Sequence, residues 1–108
     1  MSKYHSRKIE KDGITFDSVR DYKRWVERQL LERAGKISKL QRQVKYELIP
    51  TQRVNGKVVE RPVTYVADFV YQENGRLVVE DSKGFKTKDY IIKRKLMLSV
   101  YGIQIRES

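Results

Sequence analysis

The chain has 108 residues, of which 24 are Lys or Arg and 14 are Asp or Glu, so its formal net charge is +10. This length suits one domain with a modest core, and the charge favours an anionic partner, with nucleic acid as the first candidate. The absence of cysteine excludes disulfides, thiolate catalysis and iron–sulfur clusters, and it fits a cytoplasmic location. No apolar run reaches the length of a membrane span, so no membrane partner is expected.

The first 15 residues, 1–15, are polar and basic, and they predict an N-terminal arm that precedes a single domain at residues 16–108. The arm carries Lys3, Arg7 and Lys8, which are candidate contacts to a phosphate backbone. No apolar segment of the kind that a secretory signal needs follows these basic residues. We therefore expect a cytoplasmic protein whose arm can reach nucleic acid.

A helix is predicted to begin at Asp17 or Ser18, because either side chain can accept backbone N–H bonds at a helix start. Apolar residues then recur at helical spacing up to Gly35, a residue that readily adopts the left-handed conformation after a helix. In the next segments, which Asn-Gly turns separate, apolar residues either alternate with polar ones or are nearly continuous. Both patterns predict strands. These predicted strands cover 40–49, a hairpin over 53–58, 63–71 and 76–82.

A second helix is predicted over 89–101, with Thr87 as its cap and Gly102 at its end, and a last strand is predicted over 103–106. The order of helix, strands, helix and strand predicts an α/β fold with a central mixed sheet flanked by helices. The second helix and the residues before it are basic and could lie along a DNA backbone. The candidate phosphate contacts are Lys86, Lys88, Lys93, Arg94 and Lys95.

Two aspartates and a lysine lie on neighbouring strands. The run TYVADF places Asp68 on one strand, and VVEDSKG places Asp81 and Lys83 at the end of the next. The tight turn at 73–75 makes the strands antiparallel neighbours, with the two aspartates nearly opposite each other. Residues two apart share a strand face, so Glu80 should point away from Asp81 and Lys83. Of the two adjacent acids, the Asp-x-Lys spacing favours Asp81 as a ligand.

These groups suit a hard divalent cation. Mg²⁺ or Mn²⁺ takes oxygen ligands, usually one or two carboxylates with several waters, and lowers the pKa of a bound water for attack on phosphate. Lys83 is predicted to position or activate the nucleophile. The predicted metal ligands are Asp68, Asp81, the backbone carbonyl of Ser82, and Asp21 on the core-facing side of the first helix.

The pattern resembles the PD-(D/E)XK nuclease superfamily, most of all its small phage-encoded members. TYVADF corresponds to the first motif and VVEDSKG to the second, and a basic helix and the strand YGIQIRE follow. The resemblance covers nearly the whole chain and implies a restriction-endonuclease-like α-β-β-β-α-β core, in which Asp68, Asp81 and Lys83 bind metal and activate water. Ala67 stands where the superfamily name has Pro, and Asp21 stands where Glu is more usual.

Together, the residues and the resemblance predict a Mg²⁺- or Mn²⁺-dependent DNA endonuclease that hydrolyses phosphodiester bonds in phage recombination, replication or packaging, in the host cell cytoplasm. A narrower hypothesis from the resemblance is a Holliday junction resolvase-like activity on branched DNA, which would favour a homodimer because two strands must be cut symmetrically. One alternative is a noncatalytic nucleic-acid-binding module that keeps the nuclease fold. Another is a protein-interaction component of a phage assembly.

Overall fold

The computed structural model describes residues 8–82 and 85–108. These residues form a four-stranded sheet with one helix on each face and two separate hairpins. The elements in chain order are β1 (Ile9–Lys11), β2 (Ile14–Phe16), α1 (Val19–Arg33), β3 (Ser38–Ile49), β4 (Gln52–Val54), β5 (Lys57–Glu60), β6 (Val63–Glu73), β7 (Arg76–Asp81), α2 (Lys88–Tyr101) and β8 (Arg106–Glu107).

The main sheet is mixed, with the strand order β3-β6-β7-β8. The first three strands are antiparallel to their neighbours, and β8 is parallel to β7 because α2 carries the chain back before the last strand. The predicted α/β class with a central mixed sheet is confirmed. Neither helix of the described segments is long and apolar enough to cross a membrane.

Both helices begin and end within one or two residues of their predicted bounds. The Ser18 hydroxyl accepts the backbone N–H of Asp21 at 3.1 Å, and the Thr87 hydroxyl accepts that of Tyr90 at 3.1 Å. Each cap thus satisfies one of the donors that the first turn of a helix leaves open. Gly102 ends α2 with a φ of 69°, a left-handed conformation that favours glycine.

The last strand begins later than predicted. The sequence indicated residues 103–106, whereas β8 is Arg106–Glu107. The backbone N–H of Ile103 donates to the Met97 carbonyl at 3.3 Å, so it belongs to the end of α2, and Ile105 is buried in the core. Pairing with β7 therefore starts only after Ile105.

The core has two layers, one under each helix. Under α1, Trp25 stacks on Phe69 with ring centroids 6.3 Å apart, next to the buried residues Ile37, Tyr71 and Val78. The larger layer lies under α2. Its buried members are Leu48, Tyr65, Ala67, Val70, Val79, Tyr90, Met97 and Ile105.

Strand β6 changes the phase of its side-chain alternation at Asp68. Ala67 packs in the α2 layer and Phe69 in the α1 layer, although residues two apart share one face of a regular strand. Gln43 lies at the same level of the neighbouring strand β3, and its φ of 55° is unusual for a residue other than glycine. Asp68 therefore occupies an irregular position between the two layers, of the kind that re-aims a side chain.

The packing under α2 predicts the result of a paired substitution. Met97 is 0% exposed, whereas the adjacent Leu98 is 55% exposed. We expect Met97→Ala to lower the free energy of unfolding by about 2–5 kcal/mol, because it removes buried atoms and leaves a cavity. Leu98→Ala should change it by less than about 0.5 kcal/mol. Urea denaturation followed by circular dichroism measures both, and equal losses would contradict the assignment of the α2 layer.

Candidate active site

The candidate site lies where β6 and β7 separate. The two strands are antiparallel neighbours, as predicted, but their pairing stops at Phe69. Just beyond that point, Asp68 Oδ2 accepts the backbone N–H of Ser82 at 2.9 Å and its hydroxyl at 3.2 Å. The carboxylate thus satisfies a backbone donor at the place where the strand ladder ends.

Asp81 ends β7 immediately before Ser82 and is 1% exposed. Its Oδ2 accepts the Tyr65 hydroxyl at 2.7 Å. Burial, this hydrogen bond and the charges of Asp81 and Asp68 raise the pKa of Tyr65 far above its usual value, so the phenol stays protonated and keeps donating. The two predicted aspartates are connected through the chain, since Asp68 accepts the backbone N–H of the residue that follows Asp81.

The donor atoms of this pair are carboxylate oxygens, the type of ligand that a hard cation takes. Within the described residues, Asp68 Oδ1 accepts no hydrogen bond, so this oxygen can take a ligand. The described segments hold no group of three acidic or histidine side chains that could bind one metal ion, so Asp21, half-buried in the first turn of α1, is not gathered into a cluster with both aspartates. Mg²⁺ usually takes one or two carboxylates and keeps several waters, and the metal role of Asp68 and Asp81 stays a prediction.

Glu80 faces the opposite side of the sheet, as the alternation of β7 predicted. It is 2% exposed, forms an ion pair with the Arg28 guanidinium of α1, and accepts the Tyr71 hydroxyl at 2.7 Å. Burial by itself would raise the pKa of the Glu80 carboxyl, but hydrogen bonds from Arg28, Ser108 and Tyr71 hold it below its ordinary value. Glu80 therefore links α1 to the sheet, which leaves Asp81 as the acid that faces the site.

Two tyrosines and a glutamate complete the surroundings of the aspartates, and the sequence analysis assigned none of the three to the site. The Tyr90 hydroxyl donates to Glu107 Oε2 at 2.7 Å, and Glu107 lies beside Asp81 in the parallel pair of β7 and β8. The rings of Tyr65 and Tyr90 have centroids 6.4 Å apart. A buried tyrosine usually needs a partner for its hydroxyl, which is the signal in the sequence that could have indicated these contacts.

An open cleft of about 290 Å³ lies against the two tyrosine rings. One wall is residues 64–66 of β6, which pair with β3 on one side and, in the described part of the chain, with no strand on the other. The opposite wall is the start of α2, where Lys93 contributes a cation. Tyr65 connects this cleft to Asp81, so a substrate lying in it would be close to the buried carboxylate.

The predicted DNA contacts differ in their surroundings. Lys86 and Arg94 both hold the carboxylate of Glu107, at 3.3 Å and 3.1 Å, so their charges are partly neutralised. Lys88, like Lys95, is exposed at the surface of α2. Phe85, which the sequence analysis did not single out, is 79% exposed and directly precedes Lys86 in the chain.

Several predicted contacts fall outside this description. Lys83, the predicted amine, and the arm residues Lys3 and Arg7 lie outside the described residues. Lys8 is described and is exposed just before β1. For Ser82, the structure gives the backbone N–H and hydroxyl contacts to Asp68, and the predicted ligand role of its carbonyl stays a prediction.

Comparison with known proteins places this fold in a family. The profile described as "Protein of unknown function (DUF1064)" matches residues 1–106. The chain belongs to the DUF1064 family. No curated protein and no solved structure matches it. The DUF1064 match includes both aspartates, the two helices and both hairpins, and it ends one residue before Glu107.

The Arg28–Glu80 pair predicts a pH dependence of stability. The pKa of Glu80 is lower in the folded chain than in the unfolded one, so its contribution is present above about pH 4.5 and is lost as the pH falls through the folded-state value. We expect Glu80→Gln to lower the free energy of unfolding at pH 7 by about 3–5 kcal/mol, because it leaves Arg28 buried without its counter-charge. In this variant the free energy of unfolding should also fall less steeply as the pH drops below 4.5. Urea titration at several pH values measures this dependence.

Glu73→Gln is the matched control, since Glu73 pairs with Arg106 at 3.1 Å on the surface. Its loss should be under about 1 kcal/mol. The structural role of the buried pair would be contradicted if the Glu80 variant were as stable as this control and lost stability at acid pH as the native chain does.

The contact between Tyr65 and Asp81 is testable by removing one oxygen atom. We expect Tyr65→Phe to cost about 1–3 kcal/mol in the free energy of unfolding, because the buried Asp81 carboxylate loses a donor. Tyr46→Phe should cost little, since Tyr46 makes a ring contact with Tyr101 and its own hydroxyl donates no hydrogen bond within the described residues. Thermal unfolding of the two variants side by side measures the difference, and equal midpoints would argue against the Asp81 contact.

Proposed function

We propose that this DUF1064 chain is a Mg²⁺- or Mn²⁺-dependent DNA endonuclease with a restriction-endonuclease-like fold of the PD-(D/E)XK type. The observation that carries the proposal is the placement of Asp68 and Asp81. They come from antiparallel neighbours, at the point where the strands separate, and Asp68 is fixed by the residue that follows Asp81. Lys83 is two residues after Asp81 in the sequence.

The order of the elements supports the finer fold assignment. Helix α1, strands β3, β6 and β7, helix α2 and strand β8 follow one another as α-β-β-β-α-β, and the β4–β5 hairpin is an insertion between β3 and β6. Fold alone does not establish an activity, so the proposal depends on the site.

Each side chain of the site has a chemical role in this proposal. A bound divalent cation supplies a water of lowered pKa and neutralises charge on the phosphate. Asp68 Oδ1 and the Asp81 carboxylate hold that cation, and the Tyr65 hydroxyl keeps the Asp81 carboxylate in one orientation. The ammonium of Lys83 orients the attacking water or the phosphate. Asp21 assists through a water, since it is outside the group formed by the pair.

The charge of the chain supports DNA as the substrate. The segment from Lys83 to Tyr101 carries six cations and one acid, next to the two aspartates. Lys88 and Lys93 are the cations of this segment that we expect to bind phosphate first, because Lys86 and Arg94 already pair with Glu107. Branched DNA cut by a homodimer in the host cytoplasm during phage recombination, replication or packaging is the narrower form of the proposal.

A noncatalytic nucleic-acid-binding module is the second candidate. Two observations favour it: Asp81 is 1% exposed, and the described residues hold no three-acid group. Such a module would keep the charge and the fold and would bind DNA without cutting it. The third idea, a protein-interaction component of a phage assembly, predicts neither metal nor DNA binding.

Substitution of each aspartate tests the enzyme against the module. We expect the native chain to nick plasmid DNA and cut junction DNA with Mg²⁺ or Mn²⁺ and to be inactive in EDTA. Asp81→Asn and Asp68→Asn should each lower the cleavage rate by at least about 100-fold while DNA affinity changes little, because asparagine keeps an oxygen that can accept the hydrogen bond from Tyr65 or Ser82 but lacks the negative charge that binds the cation. Cleavage is followed on agarose gels and affinity by fluorescence anisotropy.

Asp12→Asn is the matched control, because Asp12 is exposed in the β1–β2 turn and its φ of 54° suits asparagine equally well. It should cut like the native chain. Salt-sensitive binding without metal-dependent cutting would reject the endonuclease and leave the module. Cutting that survives both site substitutions would reject this site.

A further inference from the structure

The β4–β5 hairpin makes no contribution to the core. It forms a two-stranded sheet of its own, and every residue from 50 to 62 is exposed. Asn55 and Gly56 both have positive φ, at 51° and 78°, and they make the tight turn at its tip. An isolated hairpin is only marginally stable in water. We therefore expect that a binding partner stabilises this hairpin, whose residues are all exposed.

The surface of the hairpin is both basic and apolar. Its three cations outnumber its one acid, and its three valines are 49% to 56% exposed. Phosphates would pair with the cations, and the inner surface of a DNA groove, including the thymine methyl group, would cover the apolar side chains. The cations are Arg53, Lys57 and Arg61, the acid is Glu60, and the valines are Val54, Val58 and Val59.

We propose that the β4–β5 hairpin enters the major groove of duplex DNA beside the cleavage site. The major groove, about 12 Å wide, admits a two-stranded β-ribbon. The competing occupant is a second copy of this chain, but two hairpins of net charge +2 on chains of net charge +10 would repel each other. This inference rests on the proposed function for its partner, duplex DNA, and for the position of the cleavage site at Asp68 and Asp81.

The length of β6 between the hairpin and Asp68 gives the distance between the proposed groove contact and the cleavage site. The chain enters β6 at Val63, directly after the hairpin, and Asp68 is five residues further along the same strand. At about 3.3 Å per residue this is about 17 Å, which is half of a duplex turn. When β6 runs along the duplex axis, the hairpin begins about five base pairs to one side of the bond next to the carboxylates, and in any other orientation it begins closer to that bond.

The first experiment measures binding in EDTA, so that it does not depend on cleavage. We compare the native chain with the triple variant Arg53→Gln, Lys57→Gln, Arg61→Gln on a 30-base-pair duplex over a range of salt concentrations. We expect about tenfold weaker binding at 0.15 M salt and a slope of log affinity against log salt that is shallower by about 2 to 3, because each lost phosphate contact removes about 0.9.

The matched control replaces three exposed cations of α1, with Arg20→Gln, Lys23→Gln and Arg33→Gln. It removes the same charge away from the hairpin and should lose clearly less affinity. Circular dichroism should show that both variants fold. An equal loss in the two variants, or no loss in the hairpin variant, would overturn the proposal.

The second experiment replaces residues 51–61 with a short glycine linker and shortens the duplex. The native chain should lose affinity when the arm on one side of the cleavage site falls below about five base pairs, and the variant without the hairpin should be insensitive to that length. A variant that binds DNA as before but changes from dimer to monomer in sedimentation would assign the hairpin to a second copy and overturn the proposal. Failure of the endonuclease would instead appear as absent cutting with these binding differences intact.

Discussion

The buried ion pair between Arg28 and Glu80 is the interaction on which the arrangement of this molecule depends. Arg28 is the buried residue of α1, and its guanidinium reaches across to the central strand β7. A buried charge without its partner is costly, so this pair fixes both the position of α1 and the direction in which Glu80 points. Because neighbouring side chains of a strand alternate, Asp81 must then face α2 and the candidate site.

The second constraint is the separation of β6 from β7 at Asp68. A strand that loses its neighbour leaves backbone donors that need other partners, and the Asp68 carboxylate accepts one of them from Ser82. The same irregularity places Asp68 between the two core layers and opens the cleft beside Tyr65. This one stretch of the sheet thus positions Asp68 and carries an open cleft beside Tyr65, the residue that bonds Asp81.

Local signals in the sequence predicted most of the elements. Ser18, Thr87 and Gly102 marked the helix ends, and the Asn-Gly turns marked the β4–β5 hairpin and the β6–β7 connection, because capping and turn geometry depend on a few adjacent residues. The last strand was placed too early, since the apolar residues Ile103 and Ile105 pack around the end of α2 before pairing can begin. Apolar character predicts burial there, but it does not distinguish a strand from a packed turn.

The sequence by itself determined that Asp68 and Asp81 lie on antiparallel neighbours and that Glu80 faces away from Asp81. These relations follow from a short turn and from the two-residue period of a strand, which are both local. Only the tertiary structure decided that Tyr65 bonds Asp81 and Tyr90 bonds Glu107, that Glu107 partly neutralises two of the predicted DNA contacts, and that every residue of the β4–β5 hairpin is exposed. Such contacts join residues far apart in the chain, and their partners depend on how the sheet and helices pack rather than on any local pattern.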